Sequence, residues 1–235
     1  MDWLARSQAV LGANTISRLQ NSRIAVLGLG GVGGSAAESL CRSGIGHLLL
    51  VDADHFEESN LNRQTLSTRK NLGVSKVQAA KERLLDISPT CQIELAQTFY
   101  LPENRDFLFD FEPDVVVDAI DTVTAKLDLA QECYQRKIPL IACLGTGNRL
   151  HPELLRIGDV ADTAGCGCPL AKVYRRELKK RGVPHQTVVY STELPLPVCV
   201  ETTEHGRHSP GSVAFVPPAA GYLLASWVVQ QFLNP

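Results

Sequence analysis

Six residues, Gly28-Leu-Gly30-Gly31-Val-Gly33, follow an apolar run (Arg23 to Leu27) and open a stretch of helical character expected over 32–43. Glycines there let the backbone turn tightly and come close to a phosphate, and a helix N-terminus adds unpaired N–H groups and positive dipole. Asp52 closes the next apolar run, His47 to Val51, where a carboxylate can bind ribose hydroxyls. These features alone imply only a nucleotide. The polar loop beyond Asp52 excludes simple hydride transfer: it carries Asp54, Asn60, Arg63 and Gln64, and Lys76 opens the next helix. An Arg and a Lys aimed at nucleotide phosphates suit a site that breaks a phosphoanhydride, because charge on the phosphates must be held through the transition state. Asp118-Ala-Ile-Asp121 ends a later strand and sets two carboxylates at the sheet's carboxyl edge, where a Mg²⁺ bridging phosphate oxygens would be bound, with Asp121 the expected ligand.

The elements that must hold these residues are set by hydrophobic period. Strands are expected at 23–27, 47–51, 91–99, 114–118 and 139–143, and helices at 32–43, 76–87 and 125–136. Continuous β-branched runs alternating with helices predict an α/β fold, a Rossmann-like, mainly parallel, doubly wound sheet. The stretch after Gly145, with prolines at 184, 195, 197 and 210, reads as strands and loops capping the sheet: an irregular C-terminal portion completing the cleft. The long apolar stretch Val213 to Val229 is cut by Pro217-Pro218, which leaves a closing helix of about 219–232, too short to span a bilayer, so membrane contact is not expected.

Composition narrows the partners. The 235 residues carry 23 Lys and Arg against 25 Asp and Glu, a net charge of −2, so a polyanion must be met by a local patch. One exists. Leu170, Tyr174 and Leu178 form an apolar helical seam, and Lys172, Arg175, Arg176, Lys179, Lys180 and Arg181 crowd the remaining surface with Glu177 as sole acid. Six positive charges and one negative make +5, a natural contact for a phosphate backbone as well as a plain solvated face. Arg149, Arg207, His205 and His208 would extend the patch.

Seven cysteines without a secreted-domain framework, and a start without a signal-peptide pattern, predict free thiols in a reducing cytoplasm. Cys41, Cys91, Cys133 and Cys143 sit on apolar faces and read as core, whereas Cys166 and Cys168 are open to a nucleophilic or a loop-packing role. No CxxC pair occurs, so no structural zinc is expected.

Taken together, GxGGVG, the DxD-to-NRQ loop, the following Lys and DAID resemble the ThiF-type, ubiquitin-activating-enzyme-like superfamily, which adenylates carboxylates with ATP. The resemblance implies that Asp52 binds the ribose, Arg63 and Lys76 the phosphates, and Asp121 Mg²⁺. Leu4-Ala-Arg6-Ser7 is similar to the family's aromatic–x–Arg segment, with Leu4 in the aromatic's place. It implies a homodimer in which Arg6 reaches the ATP of the neighbouring subunit.

The segment 159–182 and the closing residues Gly211-Ser212, Phe215-Val-Pro217 and Ala220-Gly221 resemble the tRNA threonylcarbamoyladenosine dehydratases within that superfamily. Their activity is the ATP-dependent cyclisation of N6-threonylcarbamoyladenosine in tRNA through an acyl adenylate, and a sulfur-transfer protein stays open as a partner. The implied organisation is one adenylating domain over 1–235: an N-terminal helical segment (1–21), a nucleotide-binding core (22–147), and a substrate-side crossover with the C-terminal portion (148–235). Two other classes remain: an adenylyltransferase for the C-terminal carboxylate of a ubiquitin-like sulfur carrier, and a non-catalytic nucleotide-dependent binding module.

Overall fold

The computed structural model describes residues 3–197 and 210–233, so Cys199, His205, Arg207 and His208 lie outside the described residues. Two short helices, α1 (Ala5–Leu11) and α2 (Ala13–Asn21), lead into β1 (Arg23–Leu27). Then come α3 (Gly33–Arg42), β2 (His47–Val51), α4 (Lys76–Ile87), β3 (Gln92–Ala96), α5 (Asp106–Asp110), β4 (Val115–Asp118), α6 (Val123–Arg136) and β5 (Leu140–Cys143). The chain finishes with β6 (Leu155–Asp159), α7 (Pro169–Lys180), β7 (Thr187–Ser191) and α8 (Val216–Gln230). The strands form one sheet in the order β3-β2-β1-β4-β5-β7-β6, parallel except for the antiparallel β6–β7 pair.

Strand sequences explain the layering. Alternate residues of β1 point to opposite faces: Ile24 and Val26 join a core beneath α3, α4 and α8, and Ala25 and Leu27 join one beneath α5, α6 and α7. With both faces covered, the central strands read as unbroken apolar runs, and each fully buried Leu, Ile or Val contributes roughly 1.5–3 kcal/mol. Chain order reverses between β1 and β4, which opens a crevice at the strands' carboxyl ends, the usual ligand position in such sheets. Register makes that edge level: Leu27 pairs with Val51 on one side and with Asp118 on the other. Gly28, Asp52 and Ala119 therefore leave the sheet side by side.

Two expectations are corrected. The residues after Gly145 do not cap the sheet; β7 and β6 extend its edge, with β6 antiparallel and outermost. The closing helix does not begin after the proline pair. It starts at Val216 and holds Pro217 and Pro218 in its first turn, where a missing N–H has no helical partner to lose. Buried Pro217 braces the glycine loop, since a Cβ on Gly31 would lie 3.0 Å from the Pro217 Cβ. Among the described residues no helix is long and apolar enough to cross a membrane.

Candidate active site

A cleft of about 420 Å³ lies at the β1/β4 crevice. Its floor is the glycine loop. Gly28 has φ +84°, and a Cβ there would meet the Ala119 carbonyl oxygen at 2.7 Å, so only glycine fits between β1 and β4. A Cβ on Gly33, the first residue of α3, would collide with the Gly28 carbonyl, so Gly33 makes the turn and is not itself in the cleft wall. No side chain caps the α3 N-terminus; the Gly34 N–H turns back to the Gly30 carbonyl at 2.9 Å, and the positive end of the helix dipole faces the glycine loop, where an anion is favoured.

Asp52 is held by that same loop. Its Oδ2 accepts the Leu29 N–H at 2.6 Å and its Oδ1 the Asp54 N–H at 2.8 Å. Burial pushes its carboxyl above the usual range, with the Leu29 N–H and the Lys76 ammonium pulling the other way. The loop from 53 to 75 folds back through the Lys76 N–H to Asp54 carbonyl bond (2.9 Å) and the His55–Ser75 bridge. This return delivers Lys76, at the first turn of α4, to the cleft, where the buried side chain pairs with the half-exposed Asp54 at 2.9 Å. Arg63 donates through Nη1 to the Ser59 carbonyl and to Asn62 Oδ1, both at 2.9 Å, which fixes the guanidinium. Asn60 is buried and accepts the Glu57 N–H at 3.1 Å. Gln64 is buried with Oε1 unpartnered, an acceptor that a nucleotide donor would satisfy.

Gly28, Gly30, Gly31, Asp52, Asp54, Asn60, Arg63, Gln64, Lys76 and Asp121 all line this one cleft. The two carboxylates of the DAID turn, however, part company. Asp121 is exposed in the cleft, whereas Asp118 is fully buried, 2.9 Å from the equally buried Lys126 ammonium. Burial raises the Asp118 carboxyl, opposed by Lys126 and by the Ile120 N–H at 3.0 Å; Lys126 also donates to the Ile120 carbonyl at 3.1 Å. The pair thus shapes the turn that presents Asp121. Of the three carboxylates that line the cleft, Asp52 accepts backbone N–H groups and Asp54 pairs with Lys76, which leaves exposed Asp121 as the one that would hold a Mg²⁺, an ion that keeps several waters and takes few protein ligands. Among the described residues no three His, Cys, Asp or Glu gather as a metal cluster.

Sequence reasoning missed two parts of the site. One is Lys126, since nothing in its spacing on α6 marks it as buried. The strand expected to run to 99 ends at Ala96, and Thr98 to Leu101 turn over the cleft with Phe99 62% exposed.

Arg6 is not in the cleft; it lies on a separate groove with Val10, Tyr222 and Val229. Five of the six basic residues sit on α7 and Arg181 caps its C-terminus, over a buried Tyr174 and Leu178 and a half-buried Leu170. Arg175 bonds Thr163 Oγ1 (2.7 Å), Arg176 and Lys180 share Glu177, and Arg181 bonds Gln131 (2.8 Å). Arg149 leaves the patch: it is 3% exposed and donates to the Cys166 carbonyl at 3.0 Å. Cys166 and Cys168 are buried, and the Cys168 sulfur accepts the Ala171 N–H at the head of α7, a packing and capping role; Cys41, Cys91, Cys133 and Cys143 are core thiols.

The ThiF family model matches residues 4–234. The chain belongs to the ThiF family. It is 37% identical over 241 residues to a tRNA threonylcarbamoyladenosine dehydratase of Bacillus subtilis, covering 98% of this chain and 94% of that protein. Among solved structures it is similar to the tRNA N6-threonylcarbamoyladenosine dehydratase of Escherichia coli in complex with AMP. That match has TM-score 0.89 and 29% identity, and covers 97% of this chain and 92% of the other. A shorter similarity, 38% over 137 residues, joins it to an adenylyltransferase and sulfurtransferase of Drosophila virilis, covering 58% of this chain and 30% of that protein.

Proposed function

We propose that this ThiF-family chain catalyses the ATP-dependent dehydration of N6-threonylcarbamoyladenosine in tRNA, releasing AMP and pyrophosphate. The observation that carries it is the cleft that gathers the glycine loop, Asp52, Arg63, Lys76 and Asp121, in a chain similar over nearly its whole length to threonylcarbamoyladenosine dehydratases. ATP enters with its phosphates over the glycine loop and the α3 N-terminus, and Asp52 fixes the ribose. The threonyl carboxylate attacks the α-phosphorus, the bond to the bridging α–β oxygen breaks, and pyrophosphate leaves with that electron pair. Arg63 and Lys76 hold the charge that builds on the phosphate oxygens. Mg²⁺ bound at Asp121 supplies further charge neutralisation there.

In the second step the carbamoyl oxygen of the same arm closes on the acyl-adenylate carbonyl. AMP departs carrying the carboxylate oxygen, a proton is lost from nitrogen, and the net change is one water. Tethering of both partners makes ring closure fast without an enzyme nucleophile, which agrees with the packing role of Cys166 and Cys168.

Charge and exposure support the partner assignments. The basic face of α7 (Lys172, Arg175, Arg176, Lys179, Lys180, Arg181) contacts tRNA phosphates, while the rest of the chain is acidic. The groove holding Arg6 and the 84% exposed Val10 supports a homodimer in which Arg6 serves the partner's ATP. The enzyme works as one adenylating unit over 1–235, in the cytoplasm, without structural zinc. ATP–pyrophosphate exchange tests the first step: it should respond to threonylcarbamoylated tRNA. Exchange driven only by a carrier protein with a C-terminal Gly-Gly would overturn the reading in favour of carrier adenylation.

A further inference from the structure

Beside the nucleotide cleft lies a second cavity of about 460 Å³. The two share Val32 and the turn Ala119–Asp121, so Asp121 stands on the boundary between them. Two adjoining hollows of similar size, joined at the turn that carries Asp121, match a reaction with two reactants. Each falls in the range of ordinary small-molecule pockets.

The second cavity has apolar walls, from Cys143 and Leu144 at the end of β5, Leu170 on α7, and Pro195 and Pro210. Such walls suit the faces of a flat base. The rim is stitched by Asn148: its N–H donates to the Gly211 carbonyl (2.8 Å), its carbonyl accepts the Leu196 N–H (2.8 Å), and its Oδ1 accepts the Gly211 N–H (2.7 Å). Asn148 holds φ +57° to do this, a left-handed conformation of a kind that collects at ligand sites.

Charge in the wall is polarised. Arg149 is a buried cation that donates to the Cys166 carbonyl, and its Nε and Nη1 have no partner among the described residues. Pro169 and Leu170, in the first turn of α7, add the positive end of a 12-residue helix. Among the described residues Asp121 is the sole acid in the lining, and it lies at the nucleotide side. A buried positive centre with few partners offsets the repulsion that Asp121 exerts on a carboxylate brought into the cavity and across its boundary, because screening is weak there.

We propose that this cavity is the acceptor pocket. It receives the unstacked, flipped-out base of the tRNA nucleotide, with the carboxylate-bearing arm directed across the Ala119–Asp121 boundary to the α-phosphate. This rests on the dehydratase reading above. α7 starts in the cavity wall and continues to the surface, so the same helix that meets the tRNA backbone borders the pocket for its base. Enzymes that act on a base inside a nucleic acid use such extrusion into a pocket.

The test uses the full chain and two probes: the free nucleoside N6-threonylcarbamoyladenosine, titrated calorimetrically, and threonylcarbamoylated tRNA as substrate. Leu170→Trp fills the cavity from the half-buried first turn of α7. Nucleoside affinity and kcat/KM for tRNA should each fall at least about tenfold, with ATP affinity unchanged. Full nucleoside binding and turnover in that variant would overturn the pocket. If L170W also loses ATP binding, Thr146→Leu, at another point of the lining, replaces it under the same criteria. Nucleoside binding is measured without ATP. It therefore reports on the pocket even if wild-type protein leaves the tRNA unchanged, the result that would instead remove the dehydratase reading.

Discussion

At the residue scale the site is a set of charges whose spacing reflects their duties. Arg63 and Lys76 line the cleft beside the glycine loop; in the proposed reaction they hold the negative charge that grows on the phosphates, so Arg63→Ala and Lys76→Met should each lower kcat/KM by roughly 10²–10³. Steady-state kinetics with saturating ATP checks this; a loss below about threefold would remove either residue from the chemistry. Asp52 titrates with a known sign. The proposed role as acceptor for ribose hydroxyls is best served by the ionised form, and burial raises its pKa above the ordinary 3.8. ATP affinity should therefore decline as pH falls, beginning at a higher pH than an exposed aspartate would give, and Asp52→Asn should flatten that profile. Most of these residues were readable because turn chemistry is local: GxGGVG after a strand and Asp at the next strand's end each declare a position. Lys126 was not readable. A lysine on an amphipathic helix usually faces water, and only the strand order that sets Asp118 opposite it makes burial tolerable.

At the element scale, that buried pair ties β4 to α6 and shapes the turn holding Asp121. Removing one partner leaves the other charge buried and alone, so Lys126→Met should cost about 3–5 kcal/mol. In a chain of this length that is a fall in Tm on the order of 10 °C, measurable by calorimetry. An unchanged Tm would mean the pair is not formed as described. Helix α7 makes a different prediction. If it meets phosphates, Lys172→Ala with Lys179→Ala should weaken tRNA binding regardless of sequence and reduce the salt slope by about one for each phosphate no longer neutralised. Most strands and helices were visible from period alone. The start of α8 was not, because a proline pair usually ends a helix, and only its place in the first turn shows that it begins one. The strands β6 and β7 were expected only as unplaced strands after Gly145, since each is five residues long and neither carries an unbroken apolar run.

At the scale of the whole molecule, near-neutral charge averages an acidic body and one basic helix, an arrangement that orients a polyanion and does not simply attract it. The composite-site proposal is testable by mixing subunits. Arg6→Ala and Arg63→Ala proteins, each inactive, should regain about a quarter of wild-type activity when refolded together, because half the dimers carry one intact site. No recovery would place Arg6 outside the partner's site. The central claim concerns the reaction itself, and mass spectrometry of nucleosides reads it directly. After incubation of threonylcarbamoylated tRNA with the protein and Mg-ATP, N6-threonylcarbamoyladenosine should be replaced by a nucleoside lighter by one water, with AMP formed in equal amount. Persistence of the starting nucleoside in the presence of ATP would contradict the account.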